Sequence, residues 1–212
     1  MKVLKFGGTS VGSIEGILNV KKIVEAANEP VIVVVSALSG ITDQLYKVTK
    51  LASQGDESYI DEYRTMLVRH IDMINTVVEE EKIQKVIEDV KSEFNDLANI
   101  LRGIYLIRDS SPKITDTIVA YGEAISSIII ANTIRDAVHF DAKKFIKTVN
   151  QFDKHNVDFA KTNELIHQTF KNLPKVSVCG GFISTDGTTN FVTNLGRGGS
   201  DYTAAILAAA LN

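Results

Sequence analysis

Near the amino terminus, Val3-Leu4-Lys5-Phe6-Gly7-Gly8-Thr9-Ser10 runs an apolar strand pattern into a lysine, two adjacent glycines and two hydroxyl residues. A strand that breaks there into a helix gathers backbone N–H groups, hydroxyls and a helix N-terminus at one point, and such groups bind phosphate. Lys5 adds a mobile positive charge beside them. Two common phosphate fingerprints do not fit: the next glycine after the Gly7-Gly8 pair is Gly12, which rules out G-x-G-x-x-G, and no Gly-Lys-Ser/Thr follows. The plain alternative is a tight strand-to-helix turn that needs glycine for backbone reasons only. A second stretch, Leu195-Gly196-Arg197-Gly198-Gly199-Ser200-Asp201, lies far along the chain. Ser200-Asp201 ahead of an apolar helix could be ordinary capping. An arginine framed by three glycines asks for more, because a guanidinium beside bare backbone suits a planar anion such as a carboxylate.

The elements that must position these residues follow from periodicity. Ile14, Ile17, Leu18, Val24 and Ala27 keep helical spacing up to Asn28 and Pro30. The unbroken β-branched run Val31–Val35 then predicts a strand covered on both faces, the habit of parallel sheets. Strand, helix, strand makes a right-handed βαβ unit, and ligands gather beyond the carboxyl ends of such strands. Gly7-Gly8 and the loop Ser36-Ala37-Leu38-Ser39-Gly40-Ile41-Thr42 therefore belong on one edge. From about 43 to 103 the chain reads as a helical hairpin. One stripe is Tyr59, Tyr63, Met66, His70, Ile74 and Val77; the other is Ile83, Val86, Val90, Phe94, Leu97 and Leu101. Nothing in that region asks for catalysis. A helix from about Lys113 to Arg135 carries Tyr121-Gly122-Glu123, and Glu123 is either on an exposed stripe or held for a cationic partner. Val138–Asp141 predicts a short strand, Asp158–Phe170 a helix, and Val176–Ile183 one buried strand interrupted by Gly180 and Gly181. Asp186-Gly187 signals a hairpin returning through Phe191-Val192-Thr193, and a last apolar helix runs from Tyr202 to Leu211.

With 212 residues, 44% of them hydrophobic, the chain can bury a sizeable core. A formal charge of −3 without a basic cluster argues against a nucleic-acid surface. The one cysteine, Cys179, reads as a buried thiol, and four scattered histidines offer no metal spacing. Lys5 interrupts the first apolar run before it could act as a signal sequence, and the apolar run near Ile125–Ile134 is too short to span a bilayer. A cytoplasmic protein, with no membrane or nucleic-acid partner, is the expectation.

Lys5-Phe6-Gly7-Gly8-Thr9-Ser10 resembles the amino-terminal signature of the aspartate kinases of the amino-acid kinase family, and Gly196-Arg197-Gly198-Gly199-Ser200-Asp201-Tyr202 resembles their second signature. Both occur in order, with Ser36–Thr42 and Tyr121-Gly122-Glu123 between them, so the likeness covers essentially the whole chain. Asn194 departs from the threonine usual in the family, which alters a hydrogen bond at the mouth of the loop and leaves the charged residues in place. The resemblance implies an α/β fold, a three-layer αβα sandwich with an open, mostly parallel sheet. It implies transfer of the γ-phosphoryl of ATP, accompanied by Mg2+, to the β-carboxylate of L-aspartate, giving 4-phospho-L-aspartate on the way to lysine, threonine and methionine. By resemblance Lys5 lies against the transferring phosphoryl; Gly7, Gly8, Thr9, Ser10 and Ser36 line the phosphate end. Thr42, Glu123 and Arg197 would hold aspartate, while Ser200 and Asp201 order the lysine and the substrate. No metal ligand is assigned to the protein.

The family's sheet continues past the last helix, and its later strands hold the adenosine. The expectation is therefore an amino-terminal, aspartate-binding part of a kinase domain that folds without turning over ATP. The remainder would carry regulatory domains or, in some relatives, a fused homoserine dehydrogenase; a homo-oligomer is also expected. Two other readings stay open. One is a kinase for another small acid such as glutamate or acetylglutamate. The other is a non-catalytic amino-acid-binding regulatory module, against which Lys5 and Asp201 argue, since a sensor needs no phosphate lysine.

Overall fold

The computed structural model describes residues 1–151 and 154–212. Four strands, β1 (Lys2–Phe6), β2 (Val31–Val35), β3 (Ala137–Phe140) and β6 (Val176–Gly180), form an all-parallel sheet in the order β1-β2-β6-β3. Successive strand residues point to opposite faces, and the central strands show where each face goes. Val31, Val33, Val35, Val176 and Val178 enter one core, whereas Ile32, Val34 and Cys179 enter a second. This explains the unbroken apolar run of β2: both faces are covered, and all five residues are buried.

The first core is built with α2 (Ile14–Glu25), α3 (Ile41–Ser53), α4 (Tyr59–Val77), α5 (Glu80–Ile107) and α6 (Pro112–Thr133). The stretch read as a helical hairpin from about 43 to 103 holds three helices: α4 and α5 make the hairpin, and α3, which fills the start of that range, packs on it together with α6. Their stripes face inward: Met66, His70, Ile74 and Val77 from one, Val86, Val90, Phe94, Leu97 and Leu101 from the other. His70 belongs to this packing. Its Nδ1 meets the Met66 carbonyl at 2.7 Å, its ring stands edge-on to Phe94, and burial pushes its pKa down to about 4. Pro112 starts α6: it sits in the first turn, where its missing N–H costs nothing, and the Ser111 hydroxyl accepts from the Ile114 N–H. α6 is long and apolar enough to cross a membrane by composition, but most of that stretch is buried inside the fold.

The opposite face is covered by α7 (Phe159–Thr169) and α8 (Gly199–Ala210), with the three-layer αβα arrangement as the result. A second sheet was not foreseen. Its strands are β4 (Lys147–Gln151), β5 (Lys154–Val157), β7 (Ile183–Asp186) and β8 (Val192–Asn194), in the order β5-β4-β7-β8. The expected single strand Val176–Ile183 is in fact two strands in different sheets, because the chain turns at Gly181 and Phe182, where φ of Phe182 is +67°. The Asp186-Gly187 hairpin is present; Asp186 Oδ1 accepts from the Thr188 and Thr189 N–H groups and from the Thr189 hydroxyl.

The hairpin core carries stability. Phe94→Ala, which removes a ring 2% exposed, is expected to cost about 3–5 kcal/mol in urea unfolding. Leu106→Ala, at a side chain 70% exposed, should stay within about 0.5 kcal/mol.

Candidate functional site

Phe6, Val35 and Gly180 are aligned in register at the carboxyl ends of β1, β2 and β6. The three loops that follow therefore leave the sheet side by side: Ser36 N–H donates to the Phe6 carbonyl, and Gly181 N–H to the Val35 carbonyl. The first loop opens into a single helical turn, α1 (Gly8–Val11), with no side-chain cap at Gly7. The second enters α3 through Gly40, also without a side-chain cap. Above them a cavity of about 410 Å3 is lined by Gly8, Thr9, Ser36, Ala37, Leu38, Ser39, Gly40, Thr42, Asp43 and Glu123.

Glu123 is brought to this cavity by α6 and is buried, so it is held inside and does not lie on an exposed stripe. Its Oε2 has no hydrogen-bond partner among the described residues. Burial pushes its pKa up to about 7, against the pull of the nearby backbone amides of Ala37 and of Glu123 itself. The close approach depends on glycine. A Cβ at Gly180 would lie 3.0 Å from the Glu123 carbonyl oxygen, and one at Gly181 would lie 2.7 Å from Ser200 Cα. The paired glycines thus let α6 and the first turn of α8 press on the end of β6 from two directions.

Lys5 Nζ pairs with Asp201 Oδ1 at 3.1 Å, which ties the first glycine motif to the last. Ser200 and Asp201 lie within the first turn of α8, and Gly198 is its cap residue with no side-chain bond, so the ordinary capping role is not what these residues do. Ser200 is buried against Gly181. Arg197 stands exposed between Gly196 and Gly198, whose φ values of +70° and +76° are left-handed. Its guanidinium has no hydrogen-bond or ion-pair partner among the described residues.

Of the residues expected at the site, Gly8, Thr9, Ser36, Thr42 and Glu123 line one cavity. Lys5, Gly7, Ser10, Arg197, Ser200 and Asp201 do not line it. A Cβ at Gly7 would stand 3.5 Å from Lys5 Nζ, and Ser10 turns back toward Gly7 and Gly16. The structure also adds residues. Arg69, on α4, donates to the Ser39 carbonyl at 2.8 Å and to the Gly12 carbonyl at 3.3 Å, pinning the first two loops to each other. A helix read as having no part in the chemistry thus braces the site; one arginine on a solvated helix face gives no sequence signal of this. Asp116 accepts from Asn194 at the mouth of the arginine loop.

Residues 1–212 match the amino acid kinase family. The chain belongs to the amino acid kinase family. Among individual members it is 31% identical to lysine-sensitive aspartokinase 3 of Escherichia coli, over 99% of this chain and 46% of that protein. It is 30% identical to a chloroplastic bifunctional aspartokinase/homoserine dehydrogenase 1 of Arabidopsis thaliana, over 98% of this chain and 23% of that protein. The crystal structure of E. coli aspartokinase III with lysine and aspartate superposes with a TM-score of 0.86 at 29% identity, covering all of this chain and 47% of that one. The same enzyme with aspartate and ADP gives 0.85 at 27% identity, again covering all of this chain and 47% of that one. The chain spans less than half the length of these relatives.

Glu123 gives this kinase-family site a measurable pH signature. With its folded pKa raised from 4.5 to about 7, the native state keeps a proton that the unfolded chain has released. Native stability therefore falls as pH rises through that window and levels off above it. Glu123→Gln lacks this loss, so its stability relative to the parent should rise between pH 5 and pH 8, by up to about 3 kcal/mol. Urea unfolding at both pH values reads the difference; equal differences at the two would mean that the carboxyl titrates normally.

Proposed function

We propose that this chain forms the acceptor-binding part of an aspartate kinase, which transfers the γ-phosphoryl of ATP to the β-carboxylate of L-aspartate. The observation that carries the reading is Glu123: a buried carboxyl with a free oxygen, in the same cavity as the Gly8-Thr9 turn and the uncapped start of α3. A buried carboxyl that burial holds largely protonated near neutral pH gains most from a cation that stabilises its ionised form, and the α-ammonium of an amino acid is one. The relatives' complexes with aspartate and with ADP support the same choice of ligands.

In this reading the β-carboxylate oxygen attacks the γ-phosphorus in line, a new O–P bond forms, the bond to the β-phosphate oxygen breaks and ADP leaves as 4-phospho-L-aspartate is made. The substrate supplies the nucleophile, so the protein's task is positioning and charge neutralisation. Lys5 and the backbone of Gly7, Gly8, Thr9 and Ser10 face the phosphoryl oxygens, with Ser36 beside them. Asp201 holds the lysine ammonium at 3.1 Å in the resting site. Glu123 and Thr42 take the ammonium end, Arg197 takes a carboxylate, and Ser200 sets the first turn of α8 beside them. Mg2+ would arrive with the nucleotide and spread the phosphate charge. The product would open lysine, threonine and methionine synthesis, in the cytoplasm and in a homo-oligomer.

Two measurements test this. Calorimetry should show aspartate binding, weakened roughly 10- to 150-fold by Arg197→Ala through loss of one charge-assisted contact. In the complete kinase KM for ATP should barely change; matched losses for aspartate and ATP with a lower melting temperature would make Arg197 a residue that merely shapes its loop. Binding at pH 6 should also release up to about one proton per aspartate, because the incoming ammonium favours ionised Glu123, and none at pH 9. Heats measured in buffers of different ionisation enthalpy count that proton.

A further inference from the structure

We infer that Asp116 and Asn194 form a strut that positions Arg197 against Glu123 and so sets the length of the acid this site accepts. The inference rests on the aspartate kinase reading and extends it to two residues that touch no substrate. Asn194 closes β8, and its side-chain amide works in two directions: Nδ2 donates to Asp116 Oδ1 at 2.7 Å, and Oδ1 accepts from the Gly196 N–H at 3.0 Å. One planar group thus joins α6 to the glycine loop. A threonine side chain at the same position is shorter and offers a single hydroxyl for both tasks.

The loop needs such a tie. Gly196 and Gly198 both take left-handed backbone, and glycine there leaves the chain many other conformations. Apart from the Gly199 N–H donating to the Gly196 carbonyl at 2.9 Å, the Asn194 side chain is what holds the residue just before Arg197. The guanidinium itself makes no hydrogen bond or ion pair among the described residues, and the residue is exposed. Its position is therefore decided by the backbone beneath it.

At the other end the strut stands on a rigid element. Asp116 and Glu123 are seven residues apart on the same continuous helix α6, which puts them on one face, roughly 10.5 Å apart along the axis. The residue that would read the ammonium and the residue that anchors the carboxylate-reading loop are thus fixed to one ruler. An acid longer by one methylene would have to displace the loop, and breaking the strut would let the loop give way. Discrimination by one methylene in a fitted pocket is worth about 10- to 200-fold, so its erosion is measurable.

The test uses calorimetry with aspartate and with glutamate, together with amide hydrogen exchange. Asp116→Ala is expected to weaken aspartate binding about five- to tenfold and to narrow the preference for aspartate over glutamate. Asp116→Asn, whose side-chain oxygen can still accept from Asn194, should restore both. In an Arg197→Ala background, Asp116→Ala should cause no further loss of aspartate affinity. Exchange at the Gly196 and Arg197 amides should speed up in Asp116→Ala while β7 and α6 stay protected. Additive losses in the double variant, or an unchanged aspartate preference with only a lower melting temperature, would overturn the positioning role. Unchanged exchange at Gly196 would overturn the strut itself, whatever the ligand. If the unaltered chain binds neither acid while the exchange result holds, the acceptor reading is what has failed, and the selectivity role goes with it.

Discussion

Everything at the carboxyl edge of the parallel sheet depends on how closely backbone can approach the end of β6. Gly180 admits the carbonyl of Glu123 from α6, and Gly181 admits Ser200 from α8, at separations where a methyl group would force one helix away. Those two helices carry Glu123 and Asp201, and Arg197 lies two residues before the second of them. The same pair of glycines marks where the chain leaves one sheet for the other, so one local feature sets both the topology and the site.

Much of this was legible in the chain because it follows from one-dimensional patterns. The five β-branched residues of β2 report two covered faces, and the stripes of α4 and α5 report which side of each helix is inside. The order strand, helix, strand places Gly8 and Ser36 on one edge without any coordinates. What could not be read was set by partners distant in sequence. Lys147–Val157 carries mixed polar and apolar residues, and it becomes two strands only because β7 offers an edge to β4. Val176–Ile183 looks like one strand because local apolar character continues across Phe182, and only the left-handed turn there divides it. The exposure of Glu123 was undecidable for the same reason: α6 is apolar nearly all round, so periodicity cannot say which gap in its surface is a pocket.

Arg69 and Asp116 show the limit from the site's side. Each is a charged residue on a helix dominated by packing, and in sequence each looks like part of a solvated face. Arg69 bonds to two backbone carbonyls, those of Ser39 and Gly12, in loops that lie 30 and 57 positions away. A backbone acceptor has no residue type, so no motif could reveal it. The glycine motifs were visible because their chemistry is carried by residue identity; Arg69 was not, because its acceptors have none, and the Asp116–Asn194 pair was not, because its members lie 78 positions apart.

The braces also divide the site into a fixed part and an adaptable one. Glu123 is buried on a long helix packed into the main core, and the energy of keeping its carboxyl dry is met by that core, which is large enough to bear one unsatisfied oxygen. Lys5, Asp201 and Arg197 sit where solvent reaches them, and the Lys5–Asp201 pair, with its carboxylate side chain 70% exposed, contributes little to stability. Such a pair can open without unfolding anything. In the proposed reading, a phosphoryl group arriving beside Lys5 competes with Asp201 for the ammonium, and a pair with an exposed carboxylate yields at little cost. In the same reading, the ammonium of the acid meets a carboxyl fixed in the core, whereas the phosphoryl meets a lysine whose resting ion pair opens at little cost.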